Sequence, residues 1–173
     1  MQINMKDLAL RGQTVAWKED LQLNSAFEGR ADILAHSAVH VDLHAKPIAG
    51  AVEVRGKLTL DLDVSCARCL SHVKQTLELP FLELFTQNRI EAEDGNPDEL
   101  PEDVHLVTED KVELEPYVIE NVVMGLPYIP LCDDACKGLC PECGVNRNLQ
   151  DCGCNREKLD PRLAGLADLF KEK

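Results

Sequence analysis

Residues 51–66 read Ala51-Val52-Glu53-Val54-Arg55-Gly56-Lys57-Leu58-Thr59-Leu60-Asp61-Leu62-Asp63-Val64-Ser65-Cys66. Val52, Val54, Leu58, Leu60, Leu62, Val64 and Cys66 share one parity, interrupted only by Gly56. Glu53, Arg55, Lys57, Thr59, Asp61, Asp63 and Ser65 take the other. Successive strand side chains point to opposite faces, so this period of two predicts a long antiparallel strand with one dry face and one wet face. Gly56, which has no side chain to pack, predicts a bulge or bend.

The same pattern extends outward from this stretch. Val39, Val41 and Leu43 alternate before it, and Pro47 and Gly50 punctuate the join. After Cys69 the alternation resumes through Val73, Leu77, Leu79 and Phe81. A β-meander of at least three strands over about 36–85 follows. Gln87 to Asp103 is rich in acids and contains Gly95-Asn96-Pro97, which reads as a loop. Val104 to Val107 reads as one more strand. Pro116 suits the first position of a short helix with Val118, Val122 and Val123 inward, and Gly125 and Pro127 end it. Asp160-Pro161 begins a terminal helix with Leu163, Leu166, Leu169 and Phe170 on one side.

The predicted fold is α+β and mainly β: an antiparallel β-meander or partly closed barrel, with a few short helices and a C-terminal zinc-knuckle segment. Residues 1–130 form the β-rich domain, with an acidic loop at about 86–103. Residues 131–173 form a Cys-rich metal-binding segment and terminal helix packed on the same domain.

Charge narrows the choice of partners. The net charge is −13, and most of it lies in one place. Residues 86–120 carry 2 basic and 12 acidic side chains, whereas residues 1–85 carry 9 and 11, and residues 121–173 carry 7 and 8. The bland reading is a solvated acidic loop; the sharper one is a docking element for a basic partner. No region has the lysine and arginine excess of a protein that binds nucleic acid by neutralising phosphate. No stretch approaches the roughly 18 apolar residues that would cross a membrane. The N-terminus has no long apolar run and no small-residue cleavage site, so the expected location is the cytoplasm.

Eight cysteines occur in four pairs: Cys66/Cys69, Cys132/Cys136, Cys140/Cys143 and Cys152/Cys154. In a reducing compartment, pairs at this spacing favour metal over disulfides. Cys140-Pro141-Glu142-Cys143-Gly144 is the strongest element. Two thiolates two residues apart reach one tetrahedral ion, and the glycine permits a left-handed turn. With Cys152 and Cys154 a short loop away, a four-thiolate zinc site closes at small entropic cost. A second zinc would join Cys66 and Cys69 to Cys132 and Cys136, clamping the C-terminal segment onto the sheet. The alternatives are a buried Cys66 beside a free Cys69 thiol, or competition by Cys136 for the first ion.

The sulfurs come in fours and no histidine lies in the C-terminal cluster, so a closed structural site is expected rather than a catalytic one. His36, His40 and His44 have helical spacing, but the surrounding alternation places them on a strand, too spread for one ion. The chain has no phosphate-binding glycine loop, nucleophile elbow or His-Glu-x-x-His pair.

One run of motifs goes further. Pro130-Leu131-Cys132, Cys136-Lys137-Gly138-Leu139-Cys140-Pro141-Glu142-Cys143-Gly144-Val145-Asn146, Asn148, Cys152-Gly153-Cys154 and Asp160-Pro161-Arg162-Leu163-Ala164-Gly165-Leu166 together resemble the YceD family. Upstream, Gly56, Cys66-Ala67-Arg68-Cys69-Leu70 and Val112-Glu113-Leu114-Glu115-Pro116 extend the resemblance. It implies a bacterial or organellar factor needed for normal levels of large-subunit ribosomal RNA, with no enzymatic activity and no catalytic residues to carry over. Because some relatives lack several cysteines, it also implies that zinc staples the fold.

A chain of this charge is repelled by phosphate at long range. The expected partner is therefore a basic ribosomal protein or large-subunit assembly factor, met through residues 86–120, with Asp94, Asp98, Glu99, Glu102 and Asp103 as contacts. Direct RNA contact is the narrower option, through Arg147, Arg156, Lys158 and Arg162. No small-molecule substrate is expected. Two other classes compete: a zinc-dependent or thiol redox enzyme, and a zinc-ribbon nucleic-acid-binding module.

Overall fold

A computed structural model describes residues 1–48, 50–88 and 104–154, apart from the side chain of Arg11. The expected terminal helix, the residues Asp94 to Asp103 and the cations Arg156, Lys158 and Arg162 lie outside the described residues.

The elements run in the order β1 (Gln2–Asn4), α1 (Met5–Arg11), β2 (Val15–Leu21), a 3-10 turn (Asn24–Phe27), β3 (Ile33–His36), β4 (Val39–Ile48), β5 (Ala51–Ser65), β6 (His72–Thr86), β7 (Val104–Leu106), β8 (Lys111–Glu113) and α2 (Glu115–Gly125). The main sheet has the order β2-β4-β5-β6-β7, with β3 also paired to β5, while β1 and β8 form a separate ribbon. The three-strand meander is β4-β5-β6, with antiparallel registers from His40↔Thr59 to Ile48↔Ala51 and from Ala51↔Thr86 to Ser65↔His72.

The sheet is open, not a partly closed barrel, since β2 and β7 end the pairing path without meeting. One ladder is also parallel: Leu84, Phe85 and Thr86 pair with Val104, His105 and Leu106. A parallel neighbour needs a connection long enough to return the chain to its starting end. The acidic stretch, residues 87–103, supplies that length.

One face of the sheet carries the core. Val39, Val41 and Leu43 on β4, Val54, Leu58, Leu60 and Val64 on β5, and Phe81 and Phe85 on β6 are buried. Met5 and Leu8 of α1, Phe27 of the 3-10 turn, and Val118 and Val122 of α2 complete the same cluster. Val123 points outward, 44% exposed, because α2 gives the core only one narrow stripe. Asn4 caps α1 by accepting from the Asp7 amide at 3.1 Å.

Gly56 is not a bulge: registers run unbroken through it, with Leu43 on one side and Phe81 on the other. A Cβ there would run into the Asp42 carbonyl and lie 2.9 Å from Leu43 Cα, so close backbone approach explains the glycine. Pro47 sits within β4, beyond Ala45, where the β2 ladder stops, so its missing N–H breaks no bond on that side.

Candidate metal centre

β5 ends at Ser65, and Cys66 continues its inward parity, so its sulfur enters the protein at the tip of the β5–β6 hairpin. The chain then turns tightly. The Leu70 amide donates to the Cys66 carbonyl at 2.9 Å and the Cys66 amide to the Ser71 carbonyl at 2.8 Å. Cys140 to Val145 repeats this turn: the Gly144 amide donates to the Cys140 carbonyl at 2.9 Å and the Cys140 amide to the Val145 carbonyl at 2.8 Å. The residue after the second cysteine is left-handed in both, with φ 60° at Leu70 and 73° at Gly144. Glycine adopts that conformation freely, whereas a leucine holds it against about 1 kcal/mol of steric strain.

The two turns nucleate two tetrads. The Sγ atoms of Cys66, Cys69, Cys132 and Cys136 lie within 4.8 Å of one another, as do those of Cys140, Cys143, Cys152 and Cys154. All eight are free thiols without disulfides. In the first tetrad Cys66 and Cys136 sulfurs are 3.8 Å apart and those of Cys69 and Cys132 are 3.5 Å apart. Zinc–thiolate bonds of about 2.3 Å place tetrahedral sulfurs about 3.8 Å apart, so the donor set fits a tetrahedral ion.

The acid–base chemistry of the sulfurs repeats as well. Burial opposes the Cys66 thiolate, but backbone N–H groups of Arg68, Cys132 and Cys69 point at it, and the thiol falls to about 6. At Cys140 the N–H groups of Cys143 and Glu142 do the same against burial, and it also falls to about 6. The sulfurs of Cys69 and Cys136 push Cys132 up to about 12, and those of Cys143 and Cys152 push Cys154 up to about 12. In each tetrad one sulfur thus favours the thiolate while a neighbouring sulfur opposes further negative charge. A dication bound among the four sulfurs would offset that charge.

The surroundings of the tetrads differ. Cys66, Cys69 and Cys136 are buried and pack with Val73, Leu131 and Leu139. In the second tetrad Cys140 is buried, Cys143 exposed, and Cys152 and Cys154 half-buried. The chain returns to the hairpin through backbone bonds: Ala67 donates to the Pro130 carbonyl at 2.8 Å and Leu139 to the Arg68 carbonyl at 3.0 Å. Gly138, φ 72°, packs so closely on Arg68 that a Cβ would sit 3.0 Å from its carbonyl oxygen. Arg68 Nη1 also donates to the carbonyls of Cys136 and Asp134, at 3.0 and 3.1 Å.

The grouping of the eight cysteines is therefore the one that closes both sites, and Cys136 belongs with the hairpin. The histidines stay apart: His40 meets Asp20 at 2.7 Å, His44 accepts from Arg55 at 3.3 Å, and His36 stacks on Phe27. Arg147 is tied to the Lys137 carbonyl at 3.2 Å. Sequence reasoning missed the groups that hold the sulfurs. Asn148 Nδ2 donates to Cys136 Sγ at 3.1 Å, and Cys69 Sγ lies 3.3 Å from Ser71 Oγ, which accepts from Asn146 at 3.2 Å. The available signal was Asn146-Arg147-Asn148, two amide side chains between paired cysteines.

A family model described as "Large ribosomal RNA subunit accumulation protein YceD" matches residues 54–170, a span that contains all eight cysteines. The chain belongs to the YceD family. It is 34% identical over 132 residues to an uncharacterized protein of Mycobacterium tuberculosis, covering 75% of this chain and 61% of that protein. The match to Bacillus subtilis YlbN is 27% over 165 residues, 92% of this chain and 90% of YlbN. A Haemophilus influenzae protein named large ribosomal RNA subunit accumulation protein YceD is 27% identical over 127 residues, 73% of this chain and 71% of its own length. No solved structure matches the chain. Among the described residues no helix is long and apolar enough to cross a membrane.

Proposed function

We propose that this protein is a non-enzymatic, cytoplasmic factor for the accumulation or maturation of large-subunit ribosomal RNA, and that both tetrads hold structural zinc. The observation that carries the reading is the pair of four-cysteine sets within a matched family span. Four thiolates complete a tetrahedral ion's coordination sphere and leave no position for substrate, which supports a structural role over a catalytic one. Zinc bound there would cross-link the hairpin tip to residues 132–136 and close the loop between Cys143 and Cys152. The names of the Haemophilus relative and of the family support the ribosomal RNA role.

The partner we favour is a basic ribosomal protein or assembly factor. Glu109, Glu113, Glu115 and Glu120 are exposed on the described part of the acidic segment. They present negative charge that attracts a basic surface and repels bare phosphate.

Three measurements test this. Metal analysis of purified chain should find two zinc ions per chain; less than one metal ion of any kind would defeat the structural-metal reading. Cells lacking the protein should have less large-subunit ribosomal RNA, restored by the wild-type chain. Replacing the four glutamates by glutamine should weaken recovery of large-subunit precursors, and unchanged recovery would remove that surface as the contact.

A further inference from the structure

The loop between Cys143 and Cys152 touches both tetrads. Residues 144–151 connect the two halves of the second tetrad, yet their side chains reach the first. Asn148 Nδ2 donates to Cys136 Sγ at 3.1 Å, and its Oδ1 accepts from the Lys137 amide at 2.7 Å. Asn146 Nδ2 donates at 3.2 Å to Ser71 Oγ, the neighbour of Cys69 Sγ. The Arg147 amide donates to the Gly138 carbonyl at 3.0 Å, and Leu139 forms a bridge with Asn146. Asn146 Oδ1 in turn accepts from the Asn148 amide at 2.9 Å, so the two amides are set as a unit.

The geometry points to one coupled pair of metal sites, in which Asn148 is the positioning residue by which the second tetrad tightens the first. This rests on the metal-binding reading above. A metal-bound tetrathiolate carries excess negative charge, and an N–H aimed at sulfur offsets it and fixes the ligand's orientation; removing such a donor typically lowers metal affinity about 10–100-fold. Asn148 makes that contact only while its loop holds its shape, and the loop is pinned at both ends by Cys140, Cys143, Cys152 and Cys154. Filling the second tetrad places Asn148 in advance, so the first ion no longer has to order the loop. Coupling of binding free energies is mutual, so filling the first tetrad tightens the second by the same factor.

The test is a double-mutant cycle on full-length chain loaded with cadmium-113, which gives one resonance per tetrathiolate site. The signals are assigned with a Cys143→Ser/Cys154→Ser chain, whose second tetrad is disabled. The readout is the chelator concentration at which each resonance is half lost at equilibrium. In the cysteine-complete chain, Asn148→Ala should weaken the first site about 10-fold. In the disabled background the same substitution should change it less than about 2-fold, because the contact is already lost.

Equal effects of Asn148→Ala in both backgrounds would overturn the coupling. Should the double cysteine variant fail to fold, Asn148→Asp in the complete chain decides. It removes the donor and adds a negative charge beside Cys136. Both sites should then weaken, and a second site of unchanged affinity would overturn the proposal. A chain that binds less than one metal ion defeats the metal reading itself; two ions held independently defeat only the coupling.

Discussion

The two tetrads use the same turn in different places. Around Cys66 the turn caps a 15-residue strand, its sulfurs are buried against Val73, Leu131 and Leu139, and its partners arrive from residues 132–136. Around Cys140 it stands at the surface, and its partners follow within a short loop. Local hydrogen bonding is the same, down to the left-handed residue that ends each turn. The contrast separates what a knuckle needs locally, two amides aimed at a sulfur, from what its setting adds. Closing a long loop costs little more than closing a short one, since loop entropy grows only with the logarithm of length. The first tetrad, buried except at Cys132, thus gains desolvated surroundings at modest entropic cost, and it becomes a joint between sheet and C-terminal segment.

Breaking one ligand in each tetrad should give the largest difference. Cys66→Ser puts a hydroxyl in a dry site and removes a metal ligand; it should cost about 4 kcal/mol or more in urea unfolding of metal-loaded protein. Cys143→Ser, at the surface, should release its ion and cost the sheet only about 1–2 kcal/mol, most of it the roughly 10-fold weakening of the first site. Equal losses would mean that the second tetrad is as much a part of the core as the first.

The glycines sharpen the comparison at a smaller scale. Gly138→Ala combines positive φ with a Cβ pressed on the Arg68 carbonyl and should cost about 2 kcal/mol. Gly144→Ala meets no neighbouring atom and should cost only its φ strain, about 1 kcal/mol. Leu70→Gly is the reverse case at the matching position of the first turn. Leu70 is 63% exposed, so little packing is lost, and relief of strain should change stability by about 1 kcal/mol or less in the stabilising direction.

The smallest expected effect concerns the approach to the first tetrad. Arg30 forms a two-pronged pair with Asp32, at 2.8 and 2.7 Å, and donates to the Pro127 carbonyl at 2.9 Å. The Arg30 hydrogen bond holds the Asp32 carboxyl below its ordinary range, against some burial. A depressed folded pKa gives stability that is present above the unfolded pKa and lost as pH falls through the folded one. Asp32→Asn should therefore cost under about 1 kcal/mol at neutral pH, for a pair partly open to solvent, and nothing once acid has protonated the wild-type carboxyl. Comparing Asp32→Asn with wild type at each pH, neutral and strongly acid, cancels the metal loss common to both chains.

Much of the fold could be read from particular residues. The parity of Val52 to Cys66 identified the central strand and its dry face, because alternation is a property of the backbone alone. Cys140-Pro141-Glu142-Cys143-Gly144 identified one knuckle for the same reason. The N-terminal elements escaped: β2 has mostly exposed residues and α1 only seven, so neither leaves a strong periodic trace. Gly56 reads as a bulge or bend, although its register is unbroken, because a glycine that admits another backbone and a glycine that bends its own look alike in sequence. Val123 was misplaced because helical spacing does not say how wide a stripe the core will cover.

By itself, then, the sequence determined the local objects: a wet-and-dry sheet, acidity concentrated in one segment, two Cys-x-x-Cys turns and four candidate pairs of thiols. Tertiary structure decided how those objects combine. It left the sheet open, set β7 parallel to β6, joined Cys132 and Cys136 to the hairpin rather than to their nearer neighbours, and carried Asn148 across to a sulfur of the other tetrad. The physical reason is that hydrogen-bonded turns and side-chain alternation depend on residues a few positions apart, whereas pairing of distant sulfurs depends on where the sheet's buried face leaves room for the returning chain.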